Sequence, residues 1–241
     1  MLLRGLWAIL VCLSPCAAIA QASDPAADKD PWTGTASLGF LSTSGNTDTT
    51  SYNSAFKVSY TTGKWVHTLD GAANGAEESG MTTAEAYQAG WRSTYDVGVH
   101  SFVFGEANYR KDRFAGVEQQ LSQSIGYGRR LIETEKHLLS AEIGVGYAKL
   151  DFADDTSESS AIATAGLDYK WTFTETSNFE QNIDVESGSE NTYIESVSAV
   201  RARLLGDFAL VLSYTIKHNT DVPLGSEKTD RLTAVSLEYA F

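Results

Sequence analysis

Hydrophobic and polar residues alternate along most of this chain with a period of two. The clearest segment is 137–149, where Leu139 and Ile143 fall on one face and Glu142 and Gly144 on the other. Such alternation predicts β-strands with one apolar and one polar face. Twelve strands are predicted, at residues 32–41, 50–61, 65–74, 84–95, 100–110, 119–131, 137–149, 160–171, 178–186, 192–204, 208–217 and 231–241.

Short turns and longer polar loops alternate between the predicted strands. Residues 62–64 and 96–98 are predicted turns, whereas 42–48, 75–83 and 151–159 are predicted loops. Strands of roughly ten residues suit a tilted bilayer crossing, and alternating turn and loop lengths are typical of outer-membrane barrels. No apolar stretch after residue 30 has the length of a transmembrane helix, so a membrane crossing requires a closed barrel.

Aromatic side chains gather at the ends of the predicted strands. Those near the short turns, which we predict to form a membrane girdle, are Trp32, Tyr60, Trp65, Tyr95, Trp171, Phe208, Tyr239 and Phe241. A second set near the loops is Phe40, Tyr52, Tyr87, Tyr109 and Tyr147. Period-two strands can equally build a soluble sandwich or lipocalin-like barrel, but two aromatic belts mark membrane interfaces. We therefore predict an all-β fold, an antiparallel up-and-down transmembrane β-barrel of about 12 strands, over residues 31–241.

The first thirty residues are predicted to lie outside the barrel. Arg4 precedes an apolar run at 6–13, and residues 18–20 have the small-x-small pattern of a signal peptidase site. We expect residues 1–20 to be a cleaved signal peptide and the polar stretch 21–30 to be a disordered periplasmic linker. Both cysteines fall within the signal peptide, so the mature chain is expected to have no disulfide and no thiolate metal site.

The charge of the mature chain argues against nucleic acid as a partner. It carries 17 basic residues, which is 18 less Arg4, and 31 acidic residues, so its formal charge is −14. Phosphate backbones attract the opposite sign. The expected partners are instead outer-membrane lipid and lipopolysaccharide.

A barrel would turn the charged faces of the strands inward. The predicted lumen-lining residues are Lys57, Asp70, Arg92, Glu106, Arg110, Arg130, Glu142, Asp168, Lys170, Glu180, Asp184, Glu195, Arg201, Arg203 and Lys217, with Glu186 beside them. Twelve strands enclose more space than a filled eight-stranded barrel and less than a sixteen-stranded porin. A narrow passage and a lumen closed by salt bridges both fit. Basic residues are concentrated on predicted strands four to six and on strand ten, and acidic residues on strands seven to nine. The resulting electric field across the lumen would favour small charged or zwitterionic solutes.

Several short motifs occur in a recognisable order. They are the segment 34–48 with its Ser-Gly-Asn-Thr-Asp tail, the stretch 104–114, Gly-Tyr-Gly at 126–128, and Lys-Thr-Asp at 228–230 before Leu-Glu-Tyr-Ala-Phe at 237–241. From about Trp32 to Phe241 the chain resembles the salt-induced outer membrane protein family. The resemblance implies an outer-membrane barrel of largely unknown function, without catalytic residues to carry over and with a response to salt or envelope stress. The terminal Phe241, with Tyr239 before it, looks like the signal that the barrel-assembly machinery recognises.

Catalysis, metal binding and adhesion are less well supported. His218 lies near Thr220 at the predicted outer rim, where outer-membrane lipid hydrolases place a histidine and a hydroxyl nucleophile, but no third group to orient the histidine is evident. The four histidines lack metal-ligand spacing, the acidic loops suggest at most weak calcium or magnesium binding, and the loops lack the aromatic anchors of an adhesin. We expect a narrow pore or structural barrel without catalysis, cofactor or metal; the alternative is a lipid-modifying hydrolase that uses His218.

Overall fold

The chain forms a closed barrel of antiparallel strands. The computed structural model describes residues 30–43, 49–112, 117–152, 156–189, 191–222 and 227–241. Each strand pairs with the next along the chain, and the last pairs with the first. The strands are β1 (Trp32–Thr43), β2 (Thr49–Thr62), β3 (Trp65–Glu78), β4 (Met81–Asp96), β5 (Ser101–Asp112), β6 (Val117–Glu133), β7 (His137–Phe152), β8 (Ser157–Thr174), β9 (Ser177–Ser187), β10 (Thr192–Leu205), β11 (Phe208–Asn219) and β12 (Thr229–Ala240). The predicted all-β, up-and-down barrel of about twelve strands is confirmed.

Two parts of the sequence prediction fall outside this description. The predicted signal peptide at 1–20 and the linker at 21–30, apart from Asp30, lie outside the described residues. Within the described ranges, no helix has the length and apolar character needed to cross a membrane.

The apolar residues of the strands cover the outside of the barrel. Ile125, Ile143 and Val145 are exposed, and Val145 pairs laterally with Ile125 and with Ala163. A soluble protein buries such residues, whereas the buried apolar cluster that the described residues form comprises just Ala148, Leu150 and Ile162. The distribution of side chains is therefore the inverse of that in a soluble protein: the apolar faces of the strands point outward and the polar faces point inward.

The predicted loop at 75–83 is wrong, and so is the strict alternation of turns and loops. β3 continues to Glu78 and β4 begins at Met81, so Ser79 and Gly80 alone make the turn. Both have positive φ, 51° and 78°, as the two central residues of a tight hairpin turn of the primed type require. The loop predicted at 151–159 is also shorter, because β7 runs to Phe152 and β8 starts at Ser157.

The aromatic residues of the short-turn end meet in pairs across neighbouring strands. Ring centroids lie 4.7 Å apart in Trp32–Tyr60, 4.8 Å in Trp65–Tyr95 and 5.1 Å in Phe208–Tyr239. The two remaining members of the predicted set follow the same rim. Trp171 lies 5.5 Å from Phe173, and Phe241 lies 6.2 Å from Tyr239. Their role as a membrane girdle stays a prediction.

The last residue of the chain is tied to the first strand. The amide of Phe241 donates to the carbonyl of Gly34 at 2.9 Å, and the amide of Gly34 donates back at 2.8 Å. A Cβ on Gly34 would overlap the Phe241 ring. The glycine therefore makes room for the terminal aromatic side chain on the outer wall.

Candidate functional site

Side chains that reach each other across the barrel identify its inside. Arg110 on β5 forms a salt bridge with Glu186 on β9, although three strands separate them along the wall. Because side chains alternate between the two faces of a strand, this contact assigns every second residue to the lumen. The predicted lumen-lining residues that take such inward positions are Lys57, Asp70, Arg92, Glu106, Arg110, Arg130, Glu142, Asp168, Lys170, Glu180, Asp184, Glu195, Arg201, Arg203 and Lys217. That a solute passes along them stays a prediction.

The Arg110–Glu186 pair is the centre of a buried cluster. The two guanidinium nitrogens of Arg110 lie 3.1 and 3.0 Å from the two carboxylate oxygens of Glu186. Gln120 and Ser122 donate to the same carboxylate at 2.7 and 3.1 Å. The Arg110 guanidinium lies 4.4 Å from the ring centroid of Tyr193, which is 4% exposed. A buried ion pair persists when its remaining polar atoms are also bonded, and here each carboxylate oxygen of Glu186 accepts a second hydrogen bond.

A second cluster surrounds Arg92 on β4. Its guanidinium lies 2.6 Å from Glu106 on β5 and 2.5 Å from Glu142 on β7. Ser124 donates to the other oxygen of Glu106 at 2.8 Å. The guanidinium also lies 4.0 Å from the ring centroid of Phe104, a cation–π arrangement that fixes the arginine in the lumen.

A third cluster lies where β8, β9, β10 and β12 meet. Arg201 binds Glu238 at 2.7 and 3.0 Å and Glu180 at 2.9 Å. Lys170 binds Glu180 at 2.9 Å. Sequence reasoning did not select Glu238, although it alternates with the outward Leu237 and Tyr239 and so occupies an inward position.

Two phenylalanines on the polar face of β5 make that strand look irregular in the sequence. Phe102 and Phe104 are 6% and 5% exposed inside the barrel. Both pack over glycines of β6, because a Cβ on Gly128 or on Gly126 would overlap their rings. The Gly-Tyr-Gly motif at 126–128 is therefore the flat surface on which these rings lie.

The lumen holds an acidic cavity of about 290 Å³ beside these clusters. Six carboxylate residues and one arginine line it, namely Asp70, Glu106, Glu142, Asp184, Glu186, Glu195 and Arg110. Glu106, Glu142 and Glu186 are paired with arginines, and Glu195 accepts the Tyr193 hydroxyl at 2.6 Å. Asp70 and Asp184 form no salt bridge within the described part of the chain. The cavity is therefore net negative.

The predicted hydrolase constellation does not assemble around Thr220. His218 Nδ1 lies 2.8 Å from the hydroxyl of Thr229 on the neighbouring strand. The Thr220 hydroxyl instead donates to Asn191 at 3.3 Å and accepts the Thr192 amide at 2.8 Å. Among the described residues, His218 is therefore hydrogen-bonded to Thr229 and Thr220 to Asn191 and Thr192.

The acidic residues of the predicted loops form no metal site among the residues that the structure describes. Glu77 and Glu78 belong to β3, whereas Asp154, Asp155 and Glu190 lie outside the described residues. In the described ranges, no three His, Cys, Asp or Glu side chains are arranged to hold a metal ion.

Comparison with known proteins places the chain in a family. The family model described as "Protein of unknown function, DUF481" matches residues 36–241. The uncharacterized protein YdiY of Escherichia coli (strain K12) is 29% identical over 241 residues, which is 100% of this chain and 95% of that protein.

Solved structures with a similar outline share little sequence with the chain. The NanC porin is 8% identical with a TM-score of 0.49, over 86% of this chain and 97% of its own. The translocator domain of the autotransporter NalP from Neisseria meningitidis is 11% identical with a TM-score of 0.49, over 87% of each chain. At these scores the likeness adds nothing to the strand pairing already described.

Proposed function

We propose that this chain, which belongs to the family described as Protein of unknown function, DUF481, is a narrow, cation-preferring passage in the bacterial outer membrane. The observation that carries the proposal is the acidic cavity in the lumen. Six carboxylates line it against one arginine, and Asp70 and Asp184 have no salt-bridge partner among the described residues. Clefts lined by one sign of charge concentrate ions of the opposite sign.

The narrowness of the passage is inferred from the salt bridges across the lumen. Arg110 reaches Glu186, and Arg92 reaches Glu142, over intervening strands. These bridges pair basic with acidic residues across the lumen, so the charge separation that the sequence suggested is cancelled there. The cavity between the bridges stays negative. Small cations are therefore the proposed solutes, and large anions are disfavoured by charge and by size.

The membrane location is inferred from the outer wall. Aliphatic side chains such as Leu69, Ile125 and Val145 are exposed there, and ring pairs follow the short-turn rim. Only a closed sheet satisfies its backbone groups in lipid, and the strands close. Outer-membrane lipid and lipopolysaccharide are the proposed surroundings, and a response to salt or envelope stress stays a prediction.

Ion selectivity tests the proposal directly. In planar bilayers under a KCl gradient, the purified barrel is expected to show a small conductance whose reversal potential indicates K⁺ preference. Replacing Asp70 and Asp184 by asparagine should lower that preference, because one carboxylate about 4 Å from a cation in water contributes about 1 kcal/mol. Glu135→Gln combined with Glu175→Gln, which removes two charges from exposed turns, is the matched control. Anion preference or the absence of conductance would contradict the proposed passage.

Assembly through the terminal residue is a separate prediction. Phe241→Ser is expected to lower the amount of barrel in the outer membrane, because it removes the aromatic ring that lies over Gly34 and the end residue that resembles the assembly signal. Heat-modifiable migration of membrane fractions measures folded barrel. Phe208→Ser removes a ring of the same rim and serves as the control; an equal loss in both variants would show that the terminal position has no special role.

The hydrolase alternative is not proposed. His218 Nδ1 lies 2.8 Å from the Thr229 hydroxyl, and among the described residues no hydrogen bond joins its ring to a carboxylate or an amide. A triad needs that third group.

A further inference from the structure

The barrel is closed along only part of the boundary between its first and last strands. Pairing of β1 with β12 extends from Thr35–Ala240 to Leu38–Leu237. From Gly39 onward β1 pairs with β2 alone, and before Leu237 β12 pairs with β11 alone, within the described residues. The other neighbouring strands pair along almost the whole of the shorter strand. The gap lies at the end opposite the short-turn girdle.

A hydrogen bond from β12 to β2 marks where the gap begins. Ser236 on β12 donates to the Asn53 side chain on β2 at 2.9 Å. This bond passes β1 at Gly39, where a Cβ would lie 2.5 Å from both the Asn53 side-chain oxygen and the Val235 carbonyl. Glycine at this position allows the Ser236 and Asn53 side chains to meet across β1, and it is the first residue of β1 after the paired stretch that has no β12 partner.

A second cavity of about 200 Å³ lies in the lumen at this boundary. Its wall is mostly small and uncharged, and it includes Ser37, Ala55, Ala72, Ser213, Thr215 and Ala234. The charged residues in its lining are Glu195 and Lys217, which are lateral partners on β10 and β11. One negative and one positive group thus stand side by side within an otherwise neutral pocket.

The strand edges on both sides of the gap carry apolar side chains that face outward. Leu38 and Phe40 on β1 are 71% and 72% exposed, and Val235 on β12 is also exposed. Unpaired backbone groups in lipid cost several kcal/mol each unless a polar group binds them. An occupant of this gap therefore needs a polar group that can hydrogen-bond the unpaired backbone of the strand edges. It also needs an apolar chain that can contact the exposed apolar side chains beside them.

We propose that the gap between β1 and β12 is a lateral portal that binds the headgroup of a zwitterionic phospholipid. The cavity is smaller than the roughly 300 Å³ of typical ligand pockets, so it suits a headgroup whose acyl chains stay in the bilayer. Glu195 would receive the ammonium and Lys217 the phosphate. The proposal needs the membrane barrel but not the ion passage.

Locking the portal tests the proposal. Phe40→Cys with Val235→Cys, joined by a disulfide or a short bis-maleimide, would close the gap. Leu38→Cys with Leu237→Cys is the matched control, because these residues are already lateral partners and strand partners stand at distances that a disulfide tolerates. The two native cysteines fall in the predicted signal peptide, so the new pair is alone in the mature chain. Native mass spectrometry with a short-chain phosphatidylethanolamine reports retained lipid.

The unmodified barrel and the control are expected to retain one lipid, and the locked variant none. Reducing the disulfide should restore retention. Ala72→Phe, which fills the cavity from β3 and lies away from both edges of the gap, should also abolish it, and unboiled gel migration confirms that each variant is folded. Equal retention by the locked variant, or equal retention of dodecyltrimethylammonium, would overturn the proposal. These readouts do not depend on conductance, so a barrel that binds lipid but carries no current would refute the passage alone.

Discussion

Arg110→Ala is expected to destabilise the barrel and to raise its conductance. The variant leaves the carboxylate of Glu186 buried without its cation, although Gln120 and Ser122 still donate to it. Breaking a buried ion pair by removing one partner costs about 3–5 kcal/mol. The same change removes the side chain that crosses the lumen between β5 and β9, so the passage beside the acidic cavity should widen.

Two measurements check this expectation. The temperature at which the folded band disappears on gels should fall, and the single-channel conductance should increase. Arg130→Ala is the matched control, because Arg130 binds Asp96 at 2.7 Å but both side chains are about one third exposed; exposed pairs contribute about 0–1 kcal/mol. Arg110→Met combined with Glu186→Gln should recover stability, because it removes both charges and keeps side chains of similar volume. Unchanged conductance in Arg110→Ala would show that the bridge does not constrict the lumen.

The alternation of apolar and polar residues was sufficient to predict the strands because each strand of this barrel has two different environments. The residues selected as inward from the sequence occupy inward positions in the strand register. The apolar pattern specifies this register, because a shift of one residue would move all side chains of a strand to the opposite face. Boundaries were less accurate. β3 and β4 continue through residues 75–83, where small and acidic residues imitate a loop, and a two-residue turn at Ser79–Gly80 joins them.

Partners across the lumen could not be read from the sequence. The contact of Arg110 with Glu186 depends on the tilt of the strands and on the shape of the closed sheet, and neither leaves a local pattern. The same holds for the gap between β1 and β12, which requires the register of strands about 200 residues apart in the chain. The inward position of Glu238 could be predicted from the sequence, because it lies between the outward residues Leu237 and Tyr239.

The second large effect concerns the glycines under the lumenal phenylalanines. Gly128→Ala is expected to lower the folded fraction of the barrel, because the new Cβ would overlap the ring of Phe102. That ring cannot easily withdraw, since it is 6% exposed and the Arg130 guanidinium lies 5.4 Å from its centroid. Overpacking of this kind costs about 1–3 kcal/mol, sometimes more.

A second glycine provides the comparison that separates overlap from a general intolerance of β-strands to substitution. Gly105 lies on the outer wall of β5, where the nearest atoms to a Cβ are 3.8 and 4.0 Å away, so Gly105→Ala should fold normally. Phe102→Leu should rescue Gly128→Ala, because the three atoms nearest to the new Cβ belong to the Phe102 ring. Heat-modifiable migration and thermal melting of the four proteins measure the effect. If Gly105→Ala loses as much folded barrel as Gly128→Ala, or if Phe102→Leu gives no rescue, the packing of Phe102 on Gly128 does not limit assembly.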